Sequence, residues 1–447
     1  MKIAPEIQKF MKGIQERNPH QPEFNQAVLE TAEHLIPFAR ENKLYEKSGI
    51  LERLTEPDRI ISFRVTWEDD QGVIHNNRGF RVQHCNAIGP YKGGLRFHPS
   101  VNESILKFLA YEQTFKNSLT GLPLGGGKGG ADFDPKGKSD REIRHFCQAF
   151  MTELQHHIGP TIDIPAGDIG VGSREVSYLF GEYKRINRRF EGVITGKGLS
   201  YGGSRIRTEA TGYGTIYMLN QALQQKKQSL KGKVCALSGS GNVALFAAEK
   251  LIEMGAKVVT LSDSSGFIYD KSGLTLEKLH HLKVIKLRDR KRIDAYCELF
   301  PLANFVAKDR PWAIPVDCAL PCATQNEIDA KDMKRLLSNG CIAIAEGANM
   351  PLTVEAKALI PQDRVVYLPG KVANAGGVAV SGLEMAQNSS HAHWSRSEVD
   401  AELKRIMQHI HEQCQQYGQE KDYINYEKGG NIAGFVKVAD AILALGV

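Results

Sequence analysis

The stretch KGKVCALSGSGNVALFAAEKLIEMGAKVVTLSD, residues 231–263, reads as strand, tight turn, helix and second strand. The apolar run Lys233–Leu237 leads into Gly239-Ser240-Gly241-Asn242-Val243-Ala244, a G-x-G-x-x-A turn. Apolar residues at helical spacing follow it, and the next strand ends in Asp263. Each small residue answers a physical demand. Gly239 permits the turn, Gly241 keeps a side chain away from a bound phosphate, and Ala244 lets the helix lie close on the sheet. The helix start offers unpaired N–H groups and the positive end of its dipole to an anion. The reading is a dinucleotide site, with pyrophosphate on residues 239–243.

Downstream, further strands are expected near 304–307, 315–318, 342–345 and 364–367, alternating with helical patterns. That is a Rossmann-like, doubly wound parallel sheet, assigned to residues 205–425. Upstream, residues 1–204 mix both periodicities. Helices are expected at 24–46, 104–119, 140–157 and 174–187, and strands at 60–67, 78–83 and Gly94–Phe97, with a turn at Asp69–Gly72. GLPLGGGKGG (121–130) and DIPAGDIGVGS (163–173) read as glycine-rich loops. The C-terminal helix, 426–447, is apolar enough to fold back onto this first domain. The fold class is therefore α/β in two domains, as expected for a chain of 447 residues.

Composition excludes several classes. With 42% apolar and 24% charged residues the chain is globular, and no apolar run is long enough to cross a bilayer. The N-terminus lacks a signal peptide's apolar core, so the expected location is the cytoplasm. The eight cysteines are scattered, and Cys318 and Cys322 are the only close pair; free buried thiols are expected, and no metal. The net charge of +6 comes with acids and bases interleaved, so neither nucleic acid nor membrane is an expected partner.

Lysines concentrate where glycine lets a small ligand approach. Lys92 lies in GPYKGGLRFHP (89–99), and Lys128 follows three glycines in GLPLGGGKGG. Gln113 and Lys116, three apart, share one face of the 104–119 helix. Several ammonium groups in one pocket imply an anionic substrate and depress one another's pKa, so Lys128 is the candidate for a neutral amine. Asp168, in a glycine-lined turn, is its matching acid. A carboxylate and a lysine beside a nicotinamide suggest amine–carbonyl redox chemistry. The form of the dinucleotide stays open on residues alone. Asp263 suits a free ribose 2′-hydroxyl, whereas Lys286 and Arg288 in KVIKLRDRKR (283–292) could meet a 2′-phosphate.

The chain resembles glutamate dehydrogenases of the hexameric bacterial and fungal type. The resemblance rests on GPYKGGLRFHP, YEQTFKNSLTGLPLGGGKGGADFDP, DIPAGDIGVG, RTEATGYG, SGSGNVA, LPCATQNE, AEGANMP and NAGGVAVSGLEMAQNS, in that order along nearly the whole chain. It implies reversible oxidative deamination of L-glutamate to 2-oxoglutarate and ammonium, running toward ammonium assimilation, in a homohexamer. It favours NADP, with NAD, or a different amino acid, as the alternatives. By this resemblance Lys92 and Ser381 would hold the side-chain carboxylate, and Gln113 and Lys116 the α-carboxylate. Gly167 and Val378 would line the pocket, with Lys128 and Asp168 catalytic. Thr211, Ser240, Gly241, Asn242, Val243 and Ser264 would meet the coenzyme, with Ala323, Thr324, Asn349 and Asn374 nearer its nicotinamide end. One departure is Thr208, where the family pattern has proline at the helix start; this leaves the chemistry untouched.

Overall fold

The computed structural model describes residues 4–446. The chain forms two compact units: Met1–Arg205 with Val380–Val399 and Asn431–Val447, and Ile206–Ala379 with Asp400–Gly430. This differs from the expected 205–425 division, because residues 380–399 cluster with the first unit. A buried charge pair ties that segment to residues 196–197. Glu384 accepts from Lys197 Nζ at 2.7 Å and from the Gly196 amide at 2.9 Å, all inside the first unit.

The first unit holds a five-stranded sheet in the order β1-β2-β4-β3-β5. Its strands are β1 (Arg59–Glu68), β2 (Ile74–Cys85), β3 (Tyr91–Phe97), β4 (Gly126–Ala131) and β5 (Asp163–Gly167). β1 and β2 form an antiparallel hairpin whose turn is tied by Asp69 Oδ1, which accepts from the Gln71 and Val73 amides at 2.9 Å. β2 and β4 are antiparallel, while β3 lies parallel to both β4 and β5. One core packs Leu95 and Phe97 against Phe146, Phe150 and Leu179 of the Asp140–Leu154 and Ser173–Asn187 helices. The first of these helices opens with a full capping box, Ser139 to Glu142. A second cluster joins Phe80 and Val82 to Leu106 and Ala110 of the Glu103–Leu119 helix.

The glycine stretch expected as a loop contains an inner strand, β4. Glycine disfavours strands for want of a side chain, but here the neighbours leave no room for one. A Cβ on Gly126 would lie 2.7 Å from Thr114 Cα, and one on Gly130, at φ +150°, 2.0 Å from the Arg96 carbonyl oxygen. Close backbone approach, not propensity, makes this strand.

The second unit's sheet runs β12-β11-β10-β6-β7-β8-β9. These are β6 (Val234–Leu237), β7 (Lys257–Asp263), β8 (Gly266–Tyr269), β9 (Asn304–Ala307), β10 (Cys318–Leu320), β11 (Ala343–Ala345) and β12 (Val366–Leu368). The five from β12 to β7 are parallel. The expected all-parallel sheet needs one correction: β8 turns straight back from β7 through a two-residue connection and pairs antiparallel with both β7 and β9. From β6 the chain goes to β7 on one side and later to β10 on the other. The carboxyl end of β6 is thus a topological switch point, where open α/β sheets bind ligands.

All eight cysteines are free thiols, and the described residues contain no cluster able to hold a metal ion. Among them no helix is long and apolar enough to cross a membrane.

Candidate functional site

In the first unit, β4 supplies Lys128, β3 supplies Lys92 and Arg96, and the turn after β5 supplies Asp168. Lys128 is only 4% exposed, and its Nζ lies 3.1 Å from Asp168 Oδ1. Arg96 Nε donates to the other oxygen of Asp168 at 2.7 Å. One half-buried carboxylate is thus bracketed by two buried cations. The turn that presents it is closed by the Val171 amide, which donates to the Asp168 carbonyl at 2.9 Å. Gly167, the last residue of β5, pairs with Leu95 of β3.

The electrostatics follow from this geometry. Burial pushes Asp168 toward its neutral form, but the charges of Lys128 and Arg96 outweigh it and hold the carboxyl far below its usual range. Burial lowers the pKa of Lys128; Asp168 partly restores it, and Arg96 and Arg81 lower it again. Arg81 is itself fully buried. Its Nε donates to Asp163 Oδ2 at 2.8 Å and its Nη1 to the Gly93 carbonyl at 3.1 Å, joining β2, β3 and β5 behind the lysines.

Arg96 is not among the residues that the sequence singles out. Its signal is the period of two in β3: Leu95 and Phe97 enter the aromatic core, so Arg96, like Gly94 and Lys92, alternates with them.

Lys92 is 1% exposed on β3, beside Ile164 of β5. Gln113 and Lys116 are half-buried on the Glu103–Leu119 helix. Gln113 Nε2 donates to Asn117 Oδ1 at 2.6 Å, and Asn117 Nδ2 donates to the Lys92 carbonyl at 3.0 Å, so one side chain links both substrate candidates. Ser381 is buried on the Gly376–Ser389 helix. Its neighbour Gly382 meets Leu122 and Leu124, in the segment that enters β4. Val378 belongs to the second unit.

The turn after β6 is built as the sequence indicates. Gly239 has φ +83°, its amide donates to Ser262 Oγ at 2.8 Å, and a Cβ there would lie 2.9 Å from the Cys322 carbonyl oxygen. The Asn242–Glu253 helix begins with no side-chain cap at Gly241, and a Cβ added to Gly241 would meet only open space. Uncapped amides beside open space fit a dinucleotide pyrophosphate. Ser240 is buried, Asn242 exposed and Val243 half-buried around the same turn. Ala323 and Thr324 are held by Glu327, whose Oε1 accepts from both amides at 3.0 and 3.3 Å. Asn374 Nδ2 donates to the Gly347 and Ala348 carbonyls and to Asn349 Oδ1. Thr211, on the first turn of the Ala210–Gln225 helix, lies against Gly377.

At the far end of the dinucleotide region the two basic candidates have different settings. Lys286 Nζ donates to Asp263 Oδ2 at 2.6 Å. Burial raises the Asp263 pKa, yet Lys286, Ser265 and the Ile293 amide together bring it down to about 2. Arg288 does not join them; it is exposed and pairs with Asp289. Val284–Arg288 form a π-helical turn, in which residues two apart lie on roughly opposite sides, so turning Lys286 toward Asp263 turns Arg288 away. Arg292, from the same basic run, instead donates to Ser264 Oγ. A 2′-phosphate near Asp263 would therefore find Lys286, Ser264 and Arg292.

Comparison with known proteins agrees with this geometry. Residues 202–446 match the family model described as Glutamate/Leucine/Phenylalanine/Valine dehydrogenase, and residues 57–185 match that of the Glu/Leu/Phe/Val dehydrogenase dimerisation domain. The chain is 56% identical to the NADP-specific glutamate dehydrogenase of Haemophilus influenzae, covering 100% of both chains. It is 54% identical to the NAD-specific glutamate dehydrogenase of Bacteroides fragilis, covering 99% of both. The crystal structure of Plasmodium falciparum glutamate dehydrogenase superposes with a TM-score of 0.94 at 49% identity, covering 99% of this chain and 95% of that one. Likeness at this identity over the full length, with family models matching both halves, means that the chain belongs to the glutamate dehydrogenase family.

Proposed function

We propose that the protein interconverts L-glutamate with 2-oxoglutarate and ammonium, using NADP(H). The observation that carries this reading is the buried Lys128–Asp168–Arg96 cluster, with Lys92, Gln113 and Lys116 on the same and adjoining elements.

Bound NADP supplies the acceptor for the hydride that leaves the substrate Cα. The protein's residues do the rest. Lys92, with Ser381, holds the side-chain carboxylate, and Gln113 and Lys116 hold the α-carboxylate, leaving Cα fixed relative to Lys128. Lys128, with its depressed pKa, activates the water that attacks the imino carbon and stabilises charge developing on oxygen. Asp168, kept ionised by its two cations, is a weak base while Lys128 is charged and a stronger one once Lys128 is neutral. The two groups, 3.1 Å apart, therefore act as one proton-transfer unit serving the departing ammonia. The assembly we propose is a homohexamer.

The direct test follows reduced coenzyme consumption with 2-oxoglutarate and ammonium, NADPH and NADH side by side. NADPH is expected to have the higher kcat/KM, and no turnover with either would refute the reading. Within that assay, Arg292→Ala should raise the KM for NADPH by about tenfold or more, the worth of a hydrogen bond to a charged group, and leave the KM for NADH within about twofold. Equal effects on both coenzymes would remove Arg292 from 2′-phosphate recognition. A dehydrogenase of apolar amino acids would have no use for a buried cation at Lys92. Lys92→Leu should cost about a hundredfold in kcat/KM for 2-oxoglutarate, since a buried charge partner is lost, while apolar 2-oxo acids improve relative to it. Unchanged preference for 2-oxoglutarate would contradict the assignment.

A further inference from the structure

Asn117 lies on the Glu103–Leu119 helix, one residue beyond Lys116, and is fully buried. Its side-chain nitrogen donates to two main-chain carbonyls, that of Lys92 on β3 at 3.0 Å and that of Gly125 at the entry to β4. A carbonyl oxygen can only accept, so the amide nitrogen must face these two groups and Oδ1 must face the other way. There it accepts from Gln113 Nε2 at 2.6 Å, one helical turn back. Every hydrogen-bonding atom of this amide is thus committed, to three separate pieces of the lysine-rich pocket.

We propose that Asn117 is a positioning residue for the substrate: it fixes which end of the Gln113 amide faces an anion, and it ties the backbone of Lys92 to the segment that carries Lys128. The inference rests on the reading that Gln113 and Lys92 hold the carboxylates of a dicarboxylic acid. A free glutamine amide turns over at small cost and can present an oxygen, which repels a carboxylate, as readily as a nitrogen. Against Asn117 Oδ1, Gln113 must keep its nitrogen inward, and the second N–H of that nitrogen remains for a substrate oxygen. Preorganising the donor removes an ordering cost from binding. The backbone link has the same sense. Lys92 sits on β3 and Lys128 on β4, and Asn117 bonds across both from the helix above them. Its loss frees the spacing of the two lysines without touching the dinucleotide residues, all of which belong to the second unit.

The test is steady-state kinetics on the full chain. Wild-type turnover of 2-oxoglutarate comes first; its absence would overturn the functional reading and this inference with it, whereas an active wild type isolates the role of Asn117. Asn117→Ala should raise the KM for 2-oxoglutarate about tenfold, leave the KM for NADPH within about twofold, and lower kcat by less than KM rises. Gln113→Ala, at a half-buried position, should raise the same KM. Added to Gln113→Ala, Asn117→Ala should cost clearly less than it does alone, because the residues share one interaction. Should Asn117→Ala be insoluble, Asn117→Asp supplies the arm: it keeps the size and the acceptor for Gln113 but loses both donations, and still raises the 2-oxoglutarate KM. A 2-oxoglutarate KM within about twofold of wild type in a soluble Asn117 variant or in Gln113→Ala, equal rises for both substrates, or full additivity of the double variant would each overturn the proposal.

Discussion

Lys128→Ala is expected to lower kcat by about 10²–10⁴-fold, the range general acid–base catalysis contributes, and to leave coenzyme affinity unchanged. The variant should also fold. Removing Lys128 takes one cation from Asp168, but Arg96 remains on the carboxylate at 2.7 Å, so no buried charge is left unpartnered. Coenzyme binding is spared because the turn at Gly239 and its surroundings lie in the second unit. Kinetics at saturating NADPH, with coenzyme affinity measured by fluorescence titration, separate these effects. Turnover within about tenfold of wild type would take Lys128 out of the chemistry. The wild-type profile carries a matching signature. Because burial and Arg96 lower the Lys128 pKa, the neutral amine is present at lower pH than for an exposed lysine. Glutamate oxidation should fall as pH drops through that value, where the amine takes up its proton.

Legibility in the sequence depends on whether side chains or backbone carry the information. The dinucleotide turn is readable because Gly239, Gly241 and Ala244 each answer a local geometric demand, and flanking periodicities of about two and 3.6 name the elements around them. The amphipathic Glu103–Leu119 helix and the β1–β2 hairpin are readable for the same reason. β4 is not, because GGKGGA has neither alternation nor β-formers; it is a strand only because Thr114 and Arg96 press against it, which is tertiary information. β8 escapes because four residues directly after a strand look like its turn. In the site, Lys128 and Asp168 stand out through their glycine settings, whereas Arg96 is hidden among the apolar residues of its own strand. Arg288 and Arg292 cannot be ranked from composition, since which cation faces Asp263 depends on the phase of the turn that carries Lys286. Asn117 has no sequence signal, because its importance lies in what it bonds across three elements.

Asp168→Asn probes the same pair from the opposite side and should do more damage to the fold. The change is isosteric, so the turn to Val171 is kept. An amide, however, cannot serve two donors: with Lys128 Nζ on one side and Arg96 Nε on the other, one of them must face the new NH2 group. It also leaves two buried cations with no anion between them. Breaking a buried pair in this way costs about 3–5 kcal/mol, so a lower thermal midpoint is expected here and not for Lys128→Ala. The wild-type pH dependence points the same way. Asp168 is held below its unfolded pKa, so the stability it contributes is fully present above about pH 4 and is lost as pH falls through the folded value; the variant should lack that part of the acid sensitivity. For catalysis, kcat should drop by about 10²–10⁴-fold, with 2-oxoglutarate binding little changed because its carboxylates are held by Lys92, Gln113 and Lys116. A second readout distinguishes loss of a proton carrier from simple loosening. Asp168 raises the Lys128 pKa, so replacing it should move the acid limb of residual glutamate oxidation to lower pH. A limb that stays in place, or a kcat within about tenfold of wild type, would mean that the carboxylate only anchors Lys128 and Arg96 and carries no proton itself.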